Sequence, residues 1–234
     1  MLSTAQPLQF IRGMKSGRTR PSLLVCQDDG GAKVELVVKF SAGCELKEAS
    51  LIAEVMAACL AADLGLPIPK PYLVTVTPQW LATVTDAERA AIIGASSPVA
   101  FGSTRVPNQF ELWAQGHSIS ASLRPTALAV LAFDAFVQNS DRRSDNPNCL
   151  VLGDQIRILD HELAFSHKLL LGWKAPWTLG GLNHLAIPGQ HIFMAGLRGR
   201  DDLDFGPIKT MWSQISDDRG NEYLAAIPPQ WGAG

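Results

Sequence analysis

The chain has little of what would mark a secreted, membrane or nucleic-acid-binding protein. Its four cysteines, Cys26, Cys44, Cys59 and Cys149, are scattered among 234 residues with no CxxC pair and no histidine spaced beside them. That argues against a structural zinc site and against a disulfide framework. His117, His167, His184 and His191 show no metal-ligand spacing either and read as structural or surface residues. The net charge is only -2, so no basic excess advertises nucleic acid or an anionic membrane. No uninterrupted apolar run approaches the ~20 residues that cross a bilayer. The opening MLSTAQPLQF has no basic region followed by an apolar core, so no signal peptide is expected. Repeats and low-complexity tracts are missing. A cytoplasmic location fits this pattern.

What is present is an ordinary globular composition, 47% apolar and 18% charged, long enough for one large domain or two small lobes. Residues 8 to 40 read as β: two apolar runs, Leu23–Val25 and Val34–Phe40, flank Asp28-Asp29-Gly30-Gly31, a strong hairpin signal. From Glu48 to Leu64 the chain turns rich in Ala, Leu and Glu. Leu51, Val55, Ala58 and Ala62 recur at helical spacing, and Gly65 and Pro67 close the helix. Residues 71 to 76 and 96 to 103 read as strand or extended chain. A short helix is expected from Thr85, as N-cap, to Ile93. A second helix starts near Pro125, and TALAVLAFDAFVQ is apolar on most sides, which means burial. It runs into the polar stretch Asn139 to Asn146 (NSDRRSDN). CLVL at 149 to 152 and IRIL at 156 to 159 then form a hairpin about Gly153-Asp154-Gln155. Weaker helical signals lie near 190 to 197 and 206 to 216. The expected organisation is α+β, with a β-rich lobe over 1–103 and a mainly helical lobe over 104–234, a pairing that suits a ligand cleft.

The polar stretch alone is an ordinary turn composition, and Asp145 and Asp154 read as turn formers. Its neighbours change its meaning. A hairpin folds back on its start, so Asp160 should return close to Asn146. One carboxylate and one amide oxygen, with water and phosphate oxygens, make a magnesium site of the kind that arrives with a nucleotide. Asp141 stands ahead of them, able to orient a hydroxyl or take its proton. Asp-x-x-x-x-Asn, a hairpin, then Asp is the catalytic layout of kinase-like folds.

On these residues the chain resembles the HipA-like kinases. Asn139-Ser140-Asp141-Arg142-Arg143-Ser144-Asp145-Asn146 is similar to their catalytic loop, whose Asp-to-Asn spacing phosphoinositide kinases share. Ile158-Leu159-Asp160-His161 resembles their metal-binding Asp, and Glu54, eleven positions before Gly65-Leu66, resembles their helix glutamate. The resemblance is strongest over about 35 to 165. It implies a two-lobed protein-kinase-like fold that uses ATP and Mg2+ and transfers phosphate to a serine or threonine of a protein. In such a fold a strand lysine holds nucleotide phosphates and a helix glutamate positions it.

Lys39, in VVKF, is the residue for that role, although taken alone it reads first as an outward-facing strand lysine. Glu54 is its expected partner, with Glu48 as a substitute. Around residues 12 to 22, Gly13, Ser16 and Gly17 permit close backbone approach and Lys15 and Arg18 add charge, giving either a phosphate cradle or a basic turn. The loop has neither GxGxxG nor Walker spacing. Arg142 and Arg143 either neutralise transferred phosphate or are solvated. Arg143 stands where the family often has His, and His161-Glu162 replaces the Phe-Gly of protein kinases. His161 either orients Asp160 or packs. A small-molecule or lipid kinase and a nucleotide-binding regulatory module stay open beside the protein kinase. A neutralising protein partner is implied only if the toxin role of some HipA-like kinases carries over.

Overall fold

A computed structural model describes residues 2–14, 17–165 and 173–232. The chain is mixed α+β, with strands concentrated toward its N-terminal part and helices later. It divides into two compact units. One holds 1–59, 69–106 and 221–234; the other holds 60–68 and 107–220.

The first unit is built on a closed five-stranded barrel in the order β1-β2-β3-β5-β4. Strands β1 (Ser3–Gly13), β2 (Ser22–Asp28) and β3 (Lys33–Lys39) run antiparallel. Two register shifts bend β1 around Pro7/Gln9 and Phe10/Arg12, so the proline sits where the ladder is already broken. β4 (Pro71–Thr75) and β5 (Val99–Thr104) pair antiparallel, and β5 pairs with β3. Closure comes from β1, whose Ser3–Ala5 runs parallel to Tyr72–Val74 of β4. Side chains that alternate inward fill the interior: Leu24 and Cys26, Leu36 and Val38, Tyr72 and Val74.

Between β4 and β5 lie the short helices α2 (Pro78–Leu81) and α3 (Ala87–Gly94). Asp86, not Thr85, is the N-cap of α3. Its backbone is extended and its carboxylate accepts the Arg89 amide at 3.1 Å. The helix starts one residue later than Thr85 would require.

Helix α1 spans Glu48–Asp63. It ends at Gly65 (φ +63°), where the Leu66 amide reaches back to the Ala61 carbonyl and the Gly65 amide to Ala62. This left-handed cap is the reason for glycine there.

In the second unit, β6 (Glu111–Leu112), β7 (Cys149–Leu152) and β8 (Gln155–Ile158) form a small antiparallel sheet. α4 (Arg124–Val137) carries Pro125 in its first turn and buries Ala127, Leu128, Val130, Phe133 and Val137. Asp134 is buried with them. The helix stops at Gln138, which turns left-handed (φ +54°) and releases the polar loop. Further helices are α5 (Met194–Leu197), α6 (Gly206–Ser213) and α7 (Asp217–Ala225). Among the described residues no helix is long and apolar enough to cross a membrane.

Candidate active site

In the first unit β3 ends on Lys39. Leu36 and Val38 point into the barrel, so strand alternation turns Lys39 outward. It is nevertheless buried, and so is Glu54 of α1; the ammonium and the carboxylate meet at 2.5 Å. This rules out the solvated strand lysine. Glu54, rather than Glu48, is the carboxylate at Lys39.

The loop after β1 is pinched at its neck. The Met14 amide donates to the Pro21 carbonyl at 2.8 Å, and Gly17 (φ +98°) and Arg20 (φ +48°) make the turn left-handed. Arg89 of α3 clamps it from the side, donating to the carbonyls of Met14 (3.2 Å) and Arg20. A Cβ on Gly13 would overlap the Arg89 guanidinium, the far end of a flexible side chain that would have to swing aside. Arg20 pairs with Glu88. Gly13 and Gly17 both line a concavity of about 700 Å³ with Arg12, Arg18, Arg20 and Arg89, balanced by Asp86 and Glu88. Lys15 and Ser16 lie outside the described residues.

In the second unit the loop from Asn139 to Asn148 is folded around two carboxylates. Asp141 Oδ2 accepts from Asn146 Nδ2 at 2.7 Å and from Asn148 Nδ2 at 3.1 Å. A carboxylate only accepts, so the amide nitrogen of Asn146 must face Asp141 and its amide oxygen faces away. Asp141 Oδ1 has Arg143 Nη2 at 3.9 Å, while Arg143 Nε reaches Asp145 at 3.2 Å. Arg143 is one-third exposed. Asp160 follows β8 with φ +57°, an uncommon conformation for a non-glycine residue and one that collects at functional sites. Cys149 pairs with Ile158 and the Leu159 amide donates to the Asn148 carbonyl at 2.9 Å, so the chain just before Asp160 is tied to the end of the loop.

The second carboxylate is Asp134. Arg142, fully buried, is neither solvated nor placed to meet transferred phosphate. It donates Nε to Asp134 Oδ2 at 2.6 Å and Nη2 to Oδ1 at 3.3 Å, and its Nη1 holds the carbonyls of Asn148 and Leu159. His191 (3.0 Å) and Asn139 (3.1 Å) complete the shell. Burial pushes the Asp134 carboxyl upward, but the Arg142 guanidinium and His191 pull harder and hold it well below the ordinary carboxylate range. His161 is buried with its ring edge-on to Phe133, 5.7 Å between centroids.

The buried role of Arg142 and the part played by Asn148 were not revealed by spacing. A signal for Arg142 was in the sequence: Asp134 stands alone in an apolar buried helix, and a buried carboxylate demands a cation. Asn148 left none.

The family model for HipA-like kinases matches residues 8–172. The chain belongs to the HipA-like kinase family. Membership supports a kinase-type phosphotransferase. No curated protein matches the sequence. Among solved structures, the Helicobacter pylori proinflammatory kinase CtkA is similar at 12% identity and TM-score 0.52, covering 94% of this chain and 85% of that one. At that identity the likeness speaks for the fold alone. A chain from the complex of Neurospora crassa PAN2 with PAN3 (pseudokinase and C-terminal part) is 14% identical, with a TM-score of 0.39 over 95% of this chain and 55% of that one. That overlap is too loose to say more.

The donor set of this HipA-like kinase fits magnesium brought by a nucleotide. Among the described residues no three His, Cys, Asp or Glu side chains form a cage for an ion by themselves. The amide oxygen of Asn146, turned away from Asp141, and the Asp160 carboxylate are hard oxygen donors of the kind that would suit magnesium, with phosphates supplying the rest of its shell.

Proposed function

We propose that this HipA-like kinase transfers the γ-phosphate of Mg-ATP to a hydroxyl, the serine or threonine of a protein, on a two-lobed protein-kinase-like fold. The observation that carries the reading is the buried Lys39–Glu54 pair at 2.5 Å. Desolvating two charges is a weak route to stability, so a pair kept under these conditions is best explained by what the lysine holds. Lys39 would bind nucleotide phosphates, with Gly13, Lys15, Ser16 and Gly17 offering backbone and charge around them. Asn146 and Asp160 would hold magnesium, which neutralises charge developing on the phosphate oxygens. Asp141 orients the acceptor hydroxyl and takes its proton as the acceptor oxygen bonds to the γ-phosphorus. The bond to the β–γ bridging oxygen breaks and ADP leaves.

Incubation with labelled ATP, magnesium and casein as a generic acceptor tests this. Asp141→Asn should lower kcat by about 10²–10⁴-fold, the range for a positioned proton acceptor. Asp160→Ala should abolish magnesium-dependent transfer. Wild-type rates in either variant would sink the mechanism. A labelled small molecule from a lysate, with no labelled protein, would move the acceptor to a metabolite or lipid head group.

A regulatory module that binds nucleotide with little turnover is the second reading. Arg143, 3.9 Å from Asp141 Oδ1, favours it, because a cation there competes for the oxygen that would take the proton. ATP binding by calorimetry without transfer to casein, to the chain itself or to water would select it. A neutralising protein partner and a cytoplasmic setting belong to the same proposal.

A further inference from the structure

Asn148 lies two residues beyond the Asp-to-Asn spacing, yet its side chain reaches the same carboxylate. Its Nδ2 donates to Asp141 Oδ2 and to the Asp141 backbone carbonyl, both at 3.1 Å. With Asn146 at 2.7 Å, Oδ2 accepts from two amides. Among the described residues Oδ1 accepts no hydrogen bond and has only the Arg143 guanidinium, 3.9 Å away. A carboxylate pinned through one oxygen presents the other in a fixed direction, the requirement for meeting a hydroxyl at hydrogen-bonding distance.

The two amides are not equivalent. Asn146 is also the residue whose amide oxygen suits magnesium, so its contact with Asp141 answers to a second ligand. Asn148 is fixed from behind instead. Its backbone is left-handed (φ +42°), and its carbonyl accepts from the Leu159 amide and from Arg142 Nη1. Arg142 is in turn locked on Asp134. A rigid line therefore runs from α4 through Asp134 and Arg142 to Asn148, and from its amide to Asp141.

We infer that Asn148 is the positioning residue for Asp141, holding Oδ2 so that Oδ1 is aimed at the acceptor hydroxyl whether or not magnesium is bound. This rests on the proposed role of Asp141. The competing explanation is that asparagine stands here only because it tolerates a left-handed backbone. Glycine tolerates that backbone at least as well, and aspartate tolerates it while replacing the donor by an acceptor of nearly the same shape. A purely conformational role therefore makes Asn148→Gly neutral or stabilising. A donor role makes it slow, and makes Asn148→Asp slower still because two carboxylates then face each other.

The experiment uses the full chain, labelled ATP with magnesium, casein as acceptor, and thermal melts of each variant. Asn148→Gly should keep its Tm and its KM for ATP while kcat falls about ten- to a hundredfold, the cost of a misaimed group. Asn148→Asp should fall below it. If the glycine variant melts early, the near-isosteric aspartate variant decides the matter through its kcat. In the side-chain amide NMR spectrum, the Asn148 NH₂ pair, identified by its loss in Asn148→Gly, should move in Asp141→Ala. Wild-type kcat in a folded Asn148→Gly, or an NH₂ pair indifferent to Asp141→Ala, overturns the inference alone. Absence of turnover by the wild-type chain overturns the kinase reading and the catalytic role with it, and the NH₂ shift tells that failure apart from a missing contact.

Discussion

The Lys39–Glu54 pair and the Asp134–Arg142 pair are both buried, and they predict opposite behaviour on replacement. Removing one partner of a buried ion pair leaves a charge in low dielectric, at a cost of about 3–5 kcal/mol, whereas replacing both by apolar residues of similar volume is often neutral. Lys39→Met and Glu54→Leu should each lower stability in urea melts, and the double variant should recover most of the loss while showing no phosphate transfer. A pair kept for packing alone would leave transfer intact in the double variant. Asp134 sets the acid behaviour. Its folded carboxyl lies below the ordinary value, so its contribution is fully present above the unfolded carboxylate's pKa of about 3.9 and fades as the pH falls below it. Asp134→Asn should therefore be less stable at neutral pH and lose less further stability between about pH 4 and 2, as urea midpoints across that range will show. Of these residues the pairing of Lys39 with Glu54 could be read from order and spacing. Arg142 could not, because an arginine in a run of Asp, Ser and Asn looks solvated, and its burial depends on a helix carboxylate eight residues earlier.

At the scale of elements, the loop after β1 is governed by a helix more than sixty residues away in sequence. Arg89 gives the loop two hydrogen bonds from a charged donor, and each such bond contributes about 1.5–3 kcal/mol. Arg89→Ala should speed hydrogen exchange at the Met14 amide by about tenfold or more, since roughly 1.4 kcal/mol corresponds to a factor of ten. Gly13→Ala should act in the same direction by pushing the guanidinium aside. Unchanged exchange in both variants would mean that the Met14–Pro21 bond closes the neck unaided. The clamp was invisible in the sequence, where residues 12 to 22 look like a basic turn and Arg89 one more charge on a short helix. The same limit hid the barrel. Helix α4, the β7–β8 hairpin and the β2–β3 hairpin are local, written in periodicity and turn chemistry. The parallel pairing of Ser3–Ala5 with Tyr72–Val74 joins segments too far apart in sequence for any local pattern to report. β6, only two residues long, and the polar α7 carry too little periodic apolar signal to be seen.

At the scale of the molecule, the chain passes between its two units at 59/60, 68/69, 106/107 and 220/221. Helix α1 gives residues 48–59 to one unit and 60–63 to the other, and α7 is divided in the same way. A helix keeps its length mainly through packing of its faces, so melting either unit strips α1 of part of its support and weakens the part assigned to the other. Unfolding should therefore be shared. Two thiols report on it separately: Cys26 lies in the barrel and Cys149 in β7, and burial pushes each up to about 12. At pH 8 the reactive thiolate is then only about one part in 10⁴ of either, so labelling waits on unfolding. In a urea titration with a pulse of iodoacetamide and site assignment by mass spectrometry, Cys26 and Cys149 should become labelled at one midpoint. Two midpoints would mean that each unit keeps its fold without the other, and that the shared helices add nothing to cooperativity.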